Sequence, residues 1–270
     1  MSQLARAFSL MLAADAGRYV IAAGLAFVIV WRWGRTRFAH RLVAGAWAPG
    51  SAMRRELAYS AATAVVFAAV GTAVLFGTRA GVFRVYERVD AYGWPWFVAS
   101  IAVLIVAQDA YFYWTHRAMH HPLLYRRVHR VHHRSHNPSP WAAYAFAPTE
   151  AFVHAAFVPI MTSWLPVHRM ALFAFLAFMI ARNVLGHLGV ELFPAGFATR
   201  RATAWSTTTT HHALHHARPR HNYGLYFTWW DRAMQTTDPS YETEFARLTA
   251  TRSRDCGLPA SLDTGCRRPS

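Results

Sequence analysis

The sequence predicts an all-α integral membrane protein, and three observations carry that expectation. Of its 270 residues, 54% are hydrophobic and only 15% charged, a balance too apolar for a typical soluble domain of this length. Five apolar runs, at roughly 19–33, 57–77, 94–114, 151–167 and 170–190, alternate with polar connections. The basic residues, all of them arginine because the chain contains no lysine, gather in those connections.

A membrane-spanning helix needs about 20 apolar residues. The second, third and fifth runs meet that length, and the first does so if it begins before Tyr19. The fourth contains Pro159 and joins the fifth through the tight turn "LPVHR" at 165–169, so the two are expected to form a hairpin that enters the bilayer and returns. The expectation is therefore about three transmembrane helices plus a helical hairpin. Residues 1–115 are assigned to N-terminal membrane helices. Residues 116–248 form a second region that includes the hairpin (151–190), and 249–270 a polar, disordered tail.

Charge sets the orientation. The 32–56 connection carries Arg32, Arg35, Arg37, Arg41, Arg54 and Arg55, whereas the 78–93 connection has three arginines partly offset by Glu87 and Asp90. Counting basic residues places the first connection in the cytoplasm. Counting crossings then places the segment after the third run, and everything after about Leu192, on that same side. The arginine bias suggests a GC-rich bacterial genome, hence a bacterial inner membrane, and arginine-rich loops suit anionic headgroups. A net charge of +15 also raises nucleic acid as a partner, which the placement of the arginines between apolar runs argues against. Cys256 and Cys266 lie far from the histidines, with neither metal spacing nor a disulfide framework. The N-terminus faintly resembles a signal peptide, but its apolar stretch is short and Asp15 interrupts it.

Sixteen histidines are concentrated rather than scattered. His116 and His120 form H-x-x-x-H; His129, His132 and His133 form H-x-x-H-H; His212, His215 and His216 repeat that pattern some eighty residues later. On a helix, positions three and four apart share a face, so each cluster can aim its imidazoles at one point. Neutral imidazole ligates iron, zinc, copper and nickel. Eight ligands are too many for one ion and suit two. His187, near the returning end of the hairpin, adds a ninth, with Asn183 four residues before it and Glu191 four after, on the same helix face. The expected cap is a cytoplasmic, histidine-rich helical layer holding a two-metal site, with no catalytic residue separate from the metals. Asp109 and Tyr113 share a helical stripe with His116 and His120, and Asp109 is placed to orient a ligand imidazole. His121, His136, His211 and His221 neighbour the clusters as possible further ligands or supports, while His40, His154 and His168 read as structural.

These motifs, "QDAYFYWTHRAMHH" (108–121), "HRVHHRSHNPSPWAAYAFAPTE" (129–150) and "THHALHHARPRHNYGLYFTWWDR" (210–232), resemble the fatty acid hydroxylase/sterol desaturase superfamily of membrane di-iron proteins, over roughly 107–239. The chain departs from the family pattern at "MQTTDP" (234–239), where relatives often carry Gly-Thr. It departs again at Asn183, which with His187 stands where some relatives carry a histidine pair, leaving Asn183 or water as the tenth ligand. The resemblance implies two iron ions, replaceable by zinc in purified protein. It also implies O2-dependent hydroxylation of a membrane lipid (a fatty acyl chain, a sterol-like or other lipid), with desaturation as the alternative outcome. Without a G-x-G-x-x-G fingerprint or an iron–sulfur cysteine cluster, electrons must come from an external ferredoxin or cytochrome-like donor. A zinc hydrolase is disfavoured because H-E-x-x-H is absent. A metal transporter would string ligands through the bilayer, and a haem electron carrier would use only a few of these histidines.

Overall fold

The computed structural model describes residues 2–250, so Cys256, Cys266 and most of the expected tail lie outside the described residues. Helix α1 (Gln3–Ala26) continues as wider π-type turns to Trp33, and the Ser2 hydroxyl accepts from the Ala5 N–H at its start. Then come α2 (Gly50–Arg79) and α3 (Gly93–Met119). The first helix is thus twice as long as its apolar run: Asp15 does not interrupt it, because Arg18, one turn on, pairs with Asp15 at 2.7 Å.

The hairpin exists but is asymmetric. Its descending arm is two short helices, α5 (Pro148–Ala155) and α6 (Phe157–Trp164), and its returning arm is the continuous α7 (Arg169–Gly186). The proline sits in the first turn of α6, where no intrahelical N–H is needed, so Pro159 does not break that helix. Four helices, Gln3–Trp33, Gly50–Arg79, Gly93–Met119 and Arg169–Gly186, are long and apolar enough to cross a membrane. They expose Leu10, Ile21, Leu25, Val65, Val98 and Val106 outward. A bundle that turns such residues outward needs an apolar surrounding; the chain is an integral membrane protein.

The two ends of this bundle differ. At one end the 78–93 connection meets the hairpin turn through a short parallel ladder, β1 (Val85–Tyr86) on β2 (Val167–His168). His168 there accepts from the Met170 N–H and caps α7, the structural role expected of it. At the other end lie α4 (Pro122–Val128), α8 (Thr209–Ala217), α9 (Trp229–Ala233) and α10 (Tyr241–Thr249). The arginine-rich 32–56 connection packs on this end. Arg41 donates to the carbonyls of Glu191 and Phe193, Arg55 donates to that of Arg134, and Trp31 Nε1 donates to that of Leu188. The arginine-rich connection and the histidine clusters therefore share one end, as counting crossings requires. Thr249, expected in the tail, instead closes α10 and is buried behind Phe245 and Leu248.

Candidate metal centre

The nine histidines of the spacing argument meet in two groups. His116, His120, His129, His133 and His215 form one; His132, His187, His212 and His216 form the other, with candidate ligand atoms inside each group within 4.8 Å of one another. The three motifs do not map one to one onto the groups. In each H-x-x-H-H the residues four apart (His129 with His133, His212 with His216) stay together, and the middle residue crosses to the other group. His132 thus joins the group of the second motif, and His215 that of the first. The interleaving ties two sequence-distant segments into one structure.

The backbones that do this are unlike. His212, His215 and His216 ride on α8, whose first turn is held by Thr208 accepting from the His211 N–H and by Glu191, which accepts from the Thr210 N–H (2.9 Å) and hydroxyl (2.7 Å). The first motif is not helical throughout: His129 caps the end of α4, and His132–Arg134 form a single 3-10 turn. His116 stands in the last turn of α3, and His120 and His187 are the C-caps of α3 and α7.

The donor chemistry fits a cation. His116 Nδ1 lies 2.9 Å from the Tyr223 carbonyl, His129 Nδ1 2.7 Å from Glu150, His187 Nδ1 2.8 Å from the Asn183 carbonyl and His215 Nδ1 2.7 Å from the His221 carbonyl. An acceptor at Nδ1 puts the proton there and leaves a bare lone pair on Nε2. Yet Nε2 atoms converge: His116 and His129 are 3.0 Å apart, His120 and His215 3.0 Å, His133 and His215 3.1 Å, and His187 and His212 2.9 Å. For His116 and His129, both held at Nδ1, bare lone pairs face one another at this range and repel unless a positive ion lies between them. Two nitrogens at right angles about an ion, each about 2.1 Å from it, stand about 3.0 Å apart, which is the spacing seen. Burial pushes His132, His212, His215 and His216 well below the usual histidine range, and brings His129 to about 3 and His187 to about 4. The imidazoles are therefore neutral, the form that ligates metals.

The remaining candidates support rather than join the groups. Asp109 does not orient an imidazole: its Oδ1 accepts from the backbone N–H groups of Tyr226 and Phe227 (2.8 and 3.1 Å), pinning the loop after α8 to α3. Tyr113 meets the Thr236 hydroxyl at 2.9 Å. Glu191 lies beyond the end of α7, not on its face, and secures α8 as described. Asn183 donates its side-chain amide to the Ala143 carbonyl and holds His187 through its own carbonyl. His211 is buried 3.3 Å from Asp231, whereas His121 and His136 are exposed and outside both groups. His154 stacks on Phe112 and lies 3.6 Å from Glu150.

Spacing did not single out Glu150, Asn222 or Asp231 as site residues. Glu150 is the sole acidic residue between Asp109 and Glu191, and that isolation in an apolar stretch was the available signal. Asp231 works with the Asn-Tyr-Gly turn. Its carboxylate accepts from the N–H groups of Tyr223 and Gly224 (both 2.8 Å) and from the Thr236 hydroxyl (2.7 Å), which aims the Tyr223 carbonyl at His116. Burial alone would raise the Asp231 carboxyl, but His211 and these hydrogen bonds hold it below the usual carboxylate range. Gly224 cannot be larger, since a Cβ there would lie 2.6 Å from the Phe227 carbonyl oxygen and 2.8 Å from Asp231. Asn222, at φ 57°, takes the left-handed turn and ties the His211 carbonyl to the Asp238 N–H through its amide.

A family model described as fatty acid hydroxylase matches residues 101–236, which contain every histidine of both groups. The chain belongs to the fatty acid hydroxylase family. Among curated relatives, it is 33% identical to the Delta(7)-sterol 5(6)-desaturase ERG3B of Gibberella zeae over 165 residues (58% of this chain, 49% of that one). It is 29% identical to the lathosterol oxidase of Rattus norvegicus over 154 residues (56% and 50%), and 27% identical to that of Homo sapiens over 234 residues (84% and 74%). The chain spans about half the length of the fungal and rat relatives. No solved structure matches.

Proposed function

We propose that this chain is a membrane-embedded oxygenase that oxidises an unactivated C–H bond of a membrane lipid with O2 as oxidant, at a site whose nine histidines would hold two iron ions. The observation that carries this reading is the convergence of nine neutral imidazoles, Nε2 inward, at the end of an apolar membrane bundle. A redox-active iron pair bound there would supply the reduction of O2 and the oxidation of the substrate carbon. In hydroxylation one oxygen atom enters the substrate, the other leaves as water, and two electrons and two protons are consumed.

The chain's own residues supply position and dryness. The acceptors at Nδ1, Tyr223, Glu150, Asn183 and His221, fix the rings of His116, His129, His187 and His215 so that metal binding does not have to order these four. Phe112 lies against His116 and Phe146 against His132, giving these imidazoles apolar neighbours. Electrons come from a separate ferredoxin or cytochrome-like protein, which exposed Arg126, Arg127, Arg130 and Arg134 beside the first motif suit electrostatically. By the arginine count this end faces the cytoplasm, and arginine bias favours a bacterial inner membrane.

A second reading, desaturation, is favoured by the names of the relatives, which are sterol desaturases and lathosterol oxidases. The outcomes separate by mass. Lipid extracts of cells making the wild-type chain, compared with cells making His215→Ala, should contain a species heavier by one oxygen atom if the carbon is hydroxylated. A species lighter by two hydrogen atoms would mean desaturation. Identical extracts under air, with an electron donor co-expressed and the protein inserted, would overturn both.

A further inference from the structure

Between α1, α2, α3 and the hairpin lies a cavity of about 180 Å³ whose walls are mostly apolar, among them Phe67, Leu172, Phe175 and Met179. By the same measure an engineered cavity of about 150 Å³ holds a benzene ring, so this one has room for a ring or several methylenes. It shares Phe67, Gln108, His154 and Met179 with a second void bounded by Phe112, Phe146 and Asn183, the residues that border the histidines. That void in turn shares Asn183 and Leu225 with a third, which reaches His212. Voids that share lining residues thus succeed one another from mid-bundle to the imidazoles.

Four polar side chains line the large cavity, Asp15, Arg18, Gln108 and His154, and the first three each have an unused buried atom. Arg18 donates to Asp15 Oδ1 through one terminal nitrogen, leaving its buried Nε–H without a partner. Asp15 Oδ2 and Gln108 Oε1 are likewise buried and unpartnered. Gln108 and Asp15 are only 2% and 5% exposed. A buried polar atom left unpaired is costly, and an ionisable pair inside a membrane helix is a functional candidate by default. The ion pair needs only one oxygen and one nitrogen, so structure alone does not use the other three atoms.

Resting on the lipid-oxidation reading, we infer that Asp15, Arg18 and Gln108 form the recognition site for a neutral hydroxyl on the lipid substrate. The atoms left free include both donors and acceptors, which a hydroxyl matches because it both donates and accepts. A carboxylate would face Asp15 and an ammonium would face Arg18, whereas the pair together is neutral. Gln108 precedes His116 by eight residues on α3, about 12 Å along the axis. A hydroxyl held here leaves the lipid to extend that far before a carbon reaches the level of His116.

The test is binding, which needs neither metal nor turnover, so its failure and that of the oxidation reading are separable. Full-length protein in nanodiscs is titrated with two alcohols, lathosterol and hexadecanol, each beside its methyl ether, and with palmitate. In the wild type at least one alcohol should bind about tenfold more tightly than its ether, the value of one or two hydrogen bonds. That preference should vanish in Arg18→Met and in Gln108→Met. The glutamine variant removes no hydrogen bond within the protein, so it remains informative if the arginine variant does not fold. Discrimination with lathosterol alone assigns a sterol, and with hexadecanol alone a chain alcohol; either supports the site. Equal binding of alcohol and ether, no binding of either alcohol, tighter binding of palmitate, or a preference that survives in Gln108→Met would overturn it.

Discussion

The two H-x-x-H-H motifs have the same spacing but different supports. Residues 212–216 lie on a regular helix, and the helix itself holds the imidazoles, with Glu191 and Thr208 anchoring its first turn. Residues 129–133 lie on a helix cap and a 3-10 turn, and there a ligand ring is held from outside by the Glu150 carboxylate. Both nonetheless send the residues four apart to one group and the middle residue to the other. Equal spacing therefore marks a shared task and not a shared backbone. In the first motif the missing helix is compensated by a buried hydrogen bond between His129 and Glu150.

The largest test of that comparison exchanges the crossing residues. His132→Ala leaves three imidazoles in its group, and His215→Ala leaves four in the other. Each should abolish lipid oxidation and lower bound metal by about one ion per chain, while His136→Ala, exposed and outside both groups, should change neither. Metal analysis with a lipid mass assay checks this, and retained activity in His215→Ala would refute the ligand assignment. Next in size, Glu150→Ala should weaken metal binding about 10–100-fold by freeing the His129 ring. Glu150→Gln keeps a carbonyl acceptor and should recover part of the loss; equal effects of the two would mean that Glu150 only fills space. The smallest effect is expected at Glu191. Glu191→Ala leaves the Thr210 N–H unpaired and should lower stability by about 1–3 kcal/mol, with metal affinity reduced less than in Glu150→Ala. The reverse order would show that α8 is the weaker support.

The sequence exposed the membrane class and all nine histidines, because apolar length and imidazole spacing are local properties. It did not reveal how the histidines are shared between the groups, since crossing by His132 and His215 depends on how α3, α7 and α8 pack. Asp109 was assigned to an imidazole because it lies on the helical stripe of His116, but the backbone N–H groups of Tyr226 and Phe227, far along the chain, claim its carboxylate. Asn183 and Glu191 were placed on one face with His187, although the helix ends at Gly186 and only Asn183 lies on it. Spacing does not mark Glu150 and Asp231, because their partners, His129 and the Asn-Tyr-Gly turn, are brought to them by folding.

The most direct measurement is metal stoichiometry in detergent-purified, monodisperse protein expressed with iron supplied, for the wild type and His132→Ala side by side. The account predicts about two ions per chain in the first and about one in the second, with zinc standing in wherever it outcompetes iron during expression. One ion or none in folded wild-type protein, or an unchanged count in His132→Ala, would contradict it.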